Sequence, residues 1–368
     1  MKEPTLIDLG ARLKTIDRQL VFLLARRMAL SLKVGEVKEH IGKEIFRRDV
    51  EDERMTESRI LAQQFGLNPN FLHSLMYLII SESCKTQTIR FQSAKKPADE
   101  VPSYGELKTN LLKLTEAWAK DYDKGYGKTF FATKTYLDFE HKIIEEMLKE
   151  LHSQAVLLDL GCATGPVSFL YGPKFKRTVG YDISPTMVRT AKIKNGTSRH
   201  HGLEFKVADL DACIPEQNES VSCVIMNLGT AGDIQNLPNL VREIDRVLIR
   251  GGKFLLSFYN KDALVYALEE FLPWEICLAA RINVGRNVLE VRHSGKKISI
   301  YAKACTKAEV EEMLGGFSGV ALTSFPTLIS FLPDALLHDK TVFEHVLEVD
   351  KEVSRLNRGA YLIATGTK

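Results

Sequence analysis

The sequence predicts two folds in one chain: an all-α domain of three helices, followed by an α/β domain built on a parallel sheet. Three observations carry this. From residue 5 to about residue 91, apolar residues recur in steps of three and four, the period of helices alone. A polar stretch, "QSAKKPADEVPSYGE" at 92 to 106, then interrupts the pattern as a linker. Beyond it, short continuous apolar runs alternate with helical segments, as in a sheet covered on both faces. A chain of 368 residues has room for two cores. The division expected is 1–95 for the helical domain and 96–368 for the α/β domain.

The first helix runs from Thr5 to about His40, with its seam at Leu6, Leu9, Leu13, Ile16, Leu20 and Leu23, resuming at Leu30, Val34 and Val37. Thr5 caps it and Asp8 lies in its first turn. A second helix follows from about Val50 to Phe65. "GLNPN" at 66 to 70 breaks it from a third, Pro69 to Phe91. At ~1.5 Å per residue the first helix is about 50 Å long. Two shorter helices cannot cover such a seam, so a homodimer that interlaces its long helices is expected.

One seam position is a misfit. Between Leu23 and Leu30 the rhythm falls on Arg27. Burying an unpaired guanidinium costs several kcal/mol, so Arg27 needs a carboxylate or a bound anion. Lys38 returns to nearly the same face three turns on. In the third helix the seam Leu72, Met76, Ile79 continues into Ser83 and Gln87. Two basic and two hydrogen-bonding groups in an apolar bundle describe a pocket for a small dianion. The alternative is a buried ion pair with Glu51 that sets helix register.

In the second domain, helices are expected at roughly 106 to 121 and 134 to 152. Strands are expected at "AVLLDLG", "RTVGYDI", "LEFKVADL", "SVSCVIMNL" and "KFLLSFYN", separated by helices such as "PTMVRTAKIKN" and "LPNLVREIDRVL". "LLDLGCATGPVSFL" ends a strand on Asp159 and turns through Gly161, Ala163 and Gly165, where the backbone can approach a ligand at a helix start. Asp182 ends the second strand, placed to accept from both ribose hydroxyls of a nucleoside. Asp209 ends the third, placed to accept from an adenine amino group, and Asn227 and Leu228 end the fourth. Each acid alone also suits a helix N-cap. Together they line the carboxyl edge, where open α/β sheets bind ligands. A dinucleotide fingerprint would need glycine at 163 and glycine or alanine at 166, where Ala163 and Pro166 stand. Tyr122, in "WAKDYDKGYGKTF", is placed over the ligand or packs as an ordinary helix aromatic. After the fifth strand, "LVYALEEFLPWE" and a hairpin "VLEVRHSGKKISIYAKA" would roof the site, with Phe258, Tyr259, Asn260, Arg292, His293 and Tyr301 as candidates.

On these residues, the chain from about 115 resembles the class I S-adenosylmethionine-dependent methyltransferases, whose D-x-G-x-G-x-G turn is matched except at Ala163. The resemblance implies a Rossmann-like fold and S-adenosylmethionine as cofactor. Asp159, Gly161 and Gly165 would hold its methionine end, Asp182 the ribose, and Asp209 with Leu210 the adenine, with Asn227 and Tyr122 completing the cofactor site. Residues 6 to 91, through "LIDLGARLKTIDRQLVFLLARRMALSLKVGEVK", "IFRRDVEDERM" and "LMYLIISESCKTQ", resemble the all-helical chorismate mutases, three-helix interlaced dimers. Their substrate's two carboxylates and ether oxygen would fall to Arg27, Lys38, Glu51, Ser83 and Gln87. Two arginines of that pattern are replaced, by Gly10 in "LGARLKTID" and by Val50 in "RRDVE". Each missing guanidinium removes a contact worth about 1.5 to 3 kcal/mol. The function implied is methylation of a small aromatic or shikimate-derived metabolite, fused to a domain that binds or rearranges a chorismate-like diacid. The alternative is a mutase-like domain that only dimerises or senses a metabolite.

Composition narrows the partners. A net charge of +3, from 50 basic and 47 acidic residues, argues against a nucleic-acid footprint. Six cysteines without C-x-x-C spacing read as reduced, mostly buried thiols, and no metal is expected. "MKEPTLIDLG" lacks the apolar stretch of a signal peptide, and no run nears the ~20 apolar residues of a membrane span, so the expected location is cytoplasmic.

Overall fold

A computed structural model describes residues 5–41, 48–92, 102–126, 131–198, 202–267, 282–293, 296–330, 332, 337 and 339–368. The chain divides into two compact units, with the boundary in sequence at residues 100 and 101.

The first unit is three helices, α1 (Leu6–His40), α2 (Arg48–Gln64) and α3 (Pro69–Gln92). Thr5 and Asp8 cap α1 reciprocally: the Thr5 amide donates to Asp8 Oδ2 at 3.1 Å and the Asp8 amide donates to Thr5 Oγ1 at 3.2 Å. Asn68 caps α3 through its side-chain oxygen, which accepts from the Asn70 amide at 2.9 Å. The core of the unit is small: Ala62, Ile80 and Cys84 are buried, as are Ser58, Ser81, Ser83 and Gln87. Much of the α1 seam stays outside it. Leu13, Leu20 and Leu23 keep 62%, 54% and 56% of their surface exposed.

The second unit opens with α4 (Tyr104–Trp118), which begins inside the stretch expected to be linker. "SYGE" is the reason: Ser103 and Glu106 form a capping box, Ser103 Oγ accepting from the Glu106 amide while Glu106 accepts from the Ser103 amide at 2.7 Å. A short turn α5 (Tyr122–Gly125) and α6 (Phe131–Lys149) follow, the latter ending three residues earlier than expected.

The sheet then forms from β1 (Val156–Leu160), β2 (Arg177–Asp182), β3 (Leu203–Val207), β4 (Val221–Met226) and β5 (Leu248–Asn260), all parallel, each at its expected apolar run. Between them lie α7 (Pro166–Tyr171), α8 (Pro185–Ser198) and α9 (Leu237–Val247). After α10 (Leu264–Ala267), β6 (Ile282–Asn283), β7 (Val288–His293) and β8 (Lys296–Tyr301) make a separate antiparallel sheet, with the expected hairpin as β7 and β8. Then come β9 (Ala304–Cys305), α11 (Lys307–Met313), β10 (Ser318–Phe325), α12 (Lys340–Val353) and β11 (Tyr361–Thr367). The main sheet reads β10-β11-β5-β4-β1-β2-β3, with β9 paired to β5 and the β10 and β11 edge antiparallel.

Alternation along β1 shows how both faces are covered. Leu157 packs with Tyr136, Ile144 and Met147 of α6, while Leu158 and Leu160 pack with Leu240, Val241 and Ile244 of α9. Of the described cysteines, Cys84, Cys162, Cys223 and Cys305 are buried thiols and Cys213 is exposed. Among the described residues no helix is long and apolar enough to cross a membrane.

Candidate functional site

Two groups of polar residues stand out, one in each unit. In the helical unit, Arg27 and Ser31 lie one turn apart on α1 and face Ser83 and Gln87, one turn apart on α3. Arg27 Nη1 donates to the Ile79 carbonyl at 3.1 Å and to Ser83 Oγ. Gln87 Nε2 donates to Ser31 Oγ at 2.7 Å and to the Ser83 carbonyl at 3.1 Å. Gln87 Oε1 is buried with no partner among the described residues. The structure thus joins Arg27, Ser83 and Gln87 and adds Ser31, which its four-residue spacing from Arg27 signals. Lys38 is half-buried on the same helix. Of Glu51 only the backbone is described, in α2, so its expected contact with Arg27 lies outside the described side chains.

In the α/β unit the glycine turn joins β1 to α7. Gly161 and Gly165 have φ of +76° and +87°, and Ala163 is held at +46°. A Cβ on Gly161 would stand 2.4 Å from Thr230 Cγ2, and one on Gly165 2.7 Å from the Phe205 ring, so neither position admits a side chain. Asp159 sits at the foot of the turn. Its Oδ2 accepts from the Ser168 amide at 3.0 Å and the Ser168 hydroxyl at 2.6 Å, while Oδ1 is buried without a partner among the described residues. Burial pushes its carboxyl up to about 6.

Asp182 ends β2 and clamps the same turn. Its Oδ2 accepts from the Ala163 amide and its Oδ1 from the Ser184 amide, both at 2.8 Å. Each oxygen keeps a lone pair for a ligand hydroxyl. Asp209, beyond β3, differs from its neighbours. Its side chain is 45% exposed and accepts from Lys108 Nζ of α4 at 2.6 Å. Leu210 is buried in the core behind it. Lys108 also reaches Asp211 at 3.3 Å, and the Tyr104 hydroxyl donates to Asp211, so α4 is tied down over the carboxyl end of β3.

Tyr122 lies in the electrostatic field of Asp182, Asp123 and Asp159. Asp123 accepts from Thr164 Oγ1 at 2.6 Å and pairs with Lys194 at 2.8 Å, fastening α5 to the turn. Asn227 Nδ2 donates to the Tyr126 hydroxyl at 2.9 Å.

The residues just past Asn227 are held by a buried ring absent from the sequence reading. Leu228 and Gly229 are both left-handed, with φ of +54° and +77°. The Gly229 amide donates to Ser257 Oγ at 2.7 Å, Ser257 meets the Tyr136 hydroxyl, and Tyr136 donates to Glu140 Oε1 at 2.7 Å. Glu140 also accepts from the Leu228 amide at 3.2 Å through each oxygen. Burial pushes the Glu140 carboxyl up to about 7. The loop ends on Asp233, whose Oδ1 is shielded from solvent and has no partner among the described residues.

Several expected roof residues serve the fold instead. Phe258 is in the core, and Asn260 is buried, donating to the carbonyls of Asn357 at 3.0 Å and Gly359 at 2.7 Å. Their direction alternates with that of Tyr259, which does face the 229–233 loop. Tyr301 meets the Tyr104 ring edge to face at 5.0 Å. The side chains of Arg292 and His293 lie outside those described.

Comparison with known proteins finds one family match in each unit. Residues 9–88 match the family model of chorismate mutase type II, and residues 158–256 match that of a methyltransferase domain. The chain is 30% identical over 145 residues to phosphoethanolamine N-methyltransferase 1 of Triticum aestivum, covering 38% of this chain and 27% of that protein. It is 27% identical over 156 residues to the 18S rRNA (guanine-N(7))-methyltransferase of Bos taurus, covering 39% and 54%. The chain therefore spans from about a quarter to about half the length of these two curated relatives. Among solved structures, phosphoethanolamine N-methyltransferase 2 of Haemonchus contortus superposes with a TM-score of 0.49 at 14% identity, over 73% of this chain and 61% of that one.

Proposed function

We propose that the chain uses S-adenosylmethionine to methylate a small metabolite, aromatic or shikimate-derived, in the α/β domain and binds a chorismate-like diacid in the helical one; the matches of 9–88 to chorismate mutase type II and of 158–256 to a methyltransferase domain support this. The observation that carries the first half is the turn at 159–165. It offers a bare backbone between two glycines, a buried carboxylate oxygen on Asp159 still lacking a donor, and Asp182 at the next strand end. Those groups fit the cofactor: Asp159 would accept from its ammonium and Asp182 from its ribose hydroxyls, with Asp209 and Leu210 at the adenine, Asn227 flanking and Tyr122 above. When bound, the cofactor supplies an electrophilic methyl group. The chain binds it, orients the acceptor and excludes water.

For the helical domain, Arg27, Ser83 and Gln87 support a site that recognises carboxylate and ether oxygens, completed by Lys38 and Glu51. Rearrangement there needs only a pocket that compresses the substrate and stabilises developing charge. Gly10 and Val50 favour a second reading, in which this domain dimerises or senses a metabolite without turnover. Either way the exposed α1 seam supports a homodimer through the N-terminal helices, with the domain boundary at 95 and 96. No nucleic-acid or membrane partner and a cytoplasmic location belong to the same proposal.

The test is ligand-dependent stability. S-adenosylmethionine should raise the melting temperature of the intact chain by mass action, and Asp182→Ala should remove most of that shift. An equal shift with NAD, or none with S-adenosylmethionine, rejects the reading.

A further inference from the structure

Asp233 is a half-buried residue at the carboxyl edge of the sheet, with one carboxyl oxygen shielded from solvent. Its loop, 227–233, stands between the cofactor turn and an aromatic wall. On one side Thr230 Cγ2 fills the space above Gly161. On the other, Cβ atoms on Gly229 and Gly232 would stand 2.9 Å and 2.6 Å from the Tyr259 ring, and the Gly229 one 3.0 Å from Tyr361. The Asp233 carboxyl lies in the field of Asp182 and accepts a hydrogen bond from the Tyr259 hydroxyl. Its Oδ1 is an acceptor shielded from water with no donor among the described residues. An acceptor left so is costly, and a ligand that brings an N–H or O–H recovers the loss.

The surroundings select between those donors. The largest charge effects on Asp233, Tyr259, Tyr361 and Tyr122 come from carboxyls, phenols and the Cys162 thiol: Asp123, Asp159, Asp182, Asp233 and Glu140, with neighbouring tyrosines. Lys194, whose charge reaches Cys162, is paired with Asp123 at 2.8 Å, so the carboxyls still outweigh it. An acidic chamber walled by tyrosine rings attracts a cation and repels a carboxylate. We propose that Asp233 is a catalytic residue of the methyl-transfer site, that the acceptor it serves is an amine, and that Asp233 Oδ1 takes the amine's proton. This rests on the methyltransferase reading above and names the reacting group of its substrate.

The step balances. The acceptor enters as an ammonium and passes one proton to the Asp233 carboxylate. The freed nitrogen pair forms the bond to the methyl carbon, and the carbon–sulfur bond breaks with its pair left on sulfur, converting the sulfonium to a thioether. The nitrogen becomes a methylammonium. Burial and the charge of Asp182 push the Asp233 carboxyl up to about 8, so the ionised form that takes the proton accumulates as pH rises through 8, and the proton once taken is held at neutral pH.

A cofactor analogue tests this without the acceptor. Sinefungin replaces the sulfonium and its methyl by a carbon bearing an amine, so it presents an N–H cation where the methyl would be. S-adenosylhomocysteine presents nothing there. In calorimetry on the intact protein, sinefungin should bind the more tightly of the two. Asp233→Asn should cut that preference roughly tenfold or more, as expected for loss of a charge-assisted hydrogen bond, and leave S-adenosylhomocysteine affinity unchanged. The wild-type preference should also grow between about pH 7 and pH 9 as Asp233 ionises, and be flat in the asparagine variant. An unchanged ratio, or equal loss of both ligands, would overturn the role of Asp233. Failure of the wild-type protein to bind either ligand would overturn the methyltransferase reading, and this inference with it.

Discussion

Leu157 and Leu20 are the same side chain in two domains of one chain, and they meet opposite fates. Leu157, in β1, is wholly buried between α6 and its neighbouring strands, whereas Leu20, in α1, keeps 54% of its surface exposed. The α/β domain closes its core with its own elements, because a sheet with helices on both faces satisfies every strand locally. A helix of 35 residues carries more seam than two shorter helices can cover. One fold covers its core with its own elements, and the other leaves its seam exposed.

Breaking that contrast most forcefully means charging the seam. Leu20→Arg with Leu23→Arg should convert the dimer to monomers in light scattering and leave S-adenosylmethionine binding intact. A wild-type monomer, or a dimer that survives the charges, would end the interlaced model. Leu157→Ala should act on the other side alone, lowering the stability of the α/β domain by about 4 kcal/mol in denaturant titration through lost burial and the cavity left behind. The dimer should be untouched.

A smaller effect tests the ring behind the cofactor loop. Glu140 ionises near 4.5 when unfolded and at about 7 when folded. Between those values the native state holds a proton that the unfolded state has released, so rising pH costs stability until it levels off above 7, on the order of 3 kcal/mol at most. Wild type should therefore lose stability relative to Glu140→Gln across that window, and parallel pH profiles would show that the carboxyl ionises normally. The gentlest change sharpens the helical side. A Cβ at Gly10 meets nothing within 4 Å among the described residues. Gly10→Arg should therefore fold, gain roughly 1 kcal/mol in helix propensity, and raise chorismate consumption, followed by ultraviolet absorbance, about tenfold if a partner's guanidinium is what the pocket lacks. An unchanged rate would place the missing charge elsewhere.

Period and punctuation were legible in the amino-acid order. The three-four rhythm of α1, the break at "GLNPN", the five apolar runs and the acids at their ends fixed both fold classes, because burial on one stripe or on both faces writes directly into sequence spacing. Arg27 with Ser83 and Gln87, and Asp159 with Gly161, Gly165 and Asp182, could be named for the same reason: each breaks a pattern at a fixed offset. "SYGE" is equally readable as a capping box, yet it sits inside a polar stretch that otherwise reads as linker. Glu140, Ser257, Tyr136 and Asp233 carried no such mark. Glu140 and Ser257 are separated by more than a hundred residues and meet only because α6 lies across β4 and β5. A buried carboxyl looks, in sequence, like any acid on a solvated helix face. Which oxygens are left without a donor, and which leucines are left without a cover, is decided by the closure of the fold, since desolvation depends on what the rest of the chain brings to each atom.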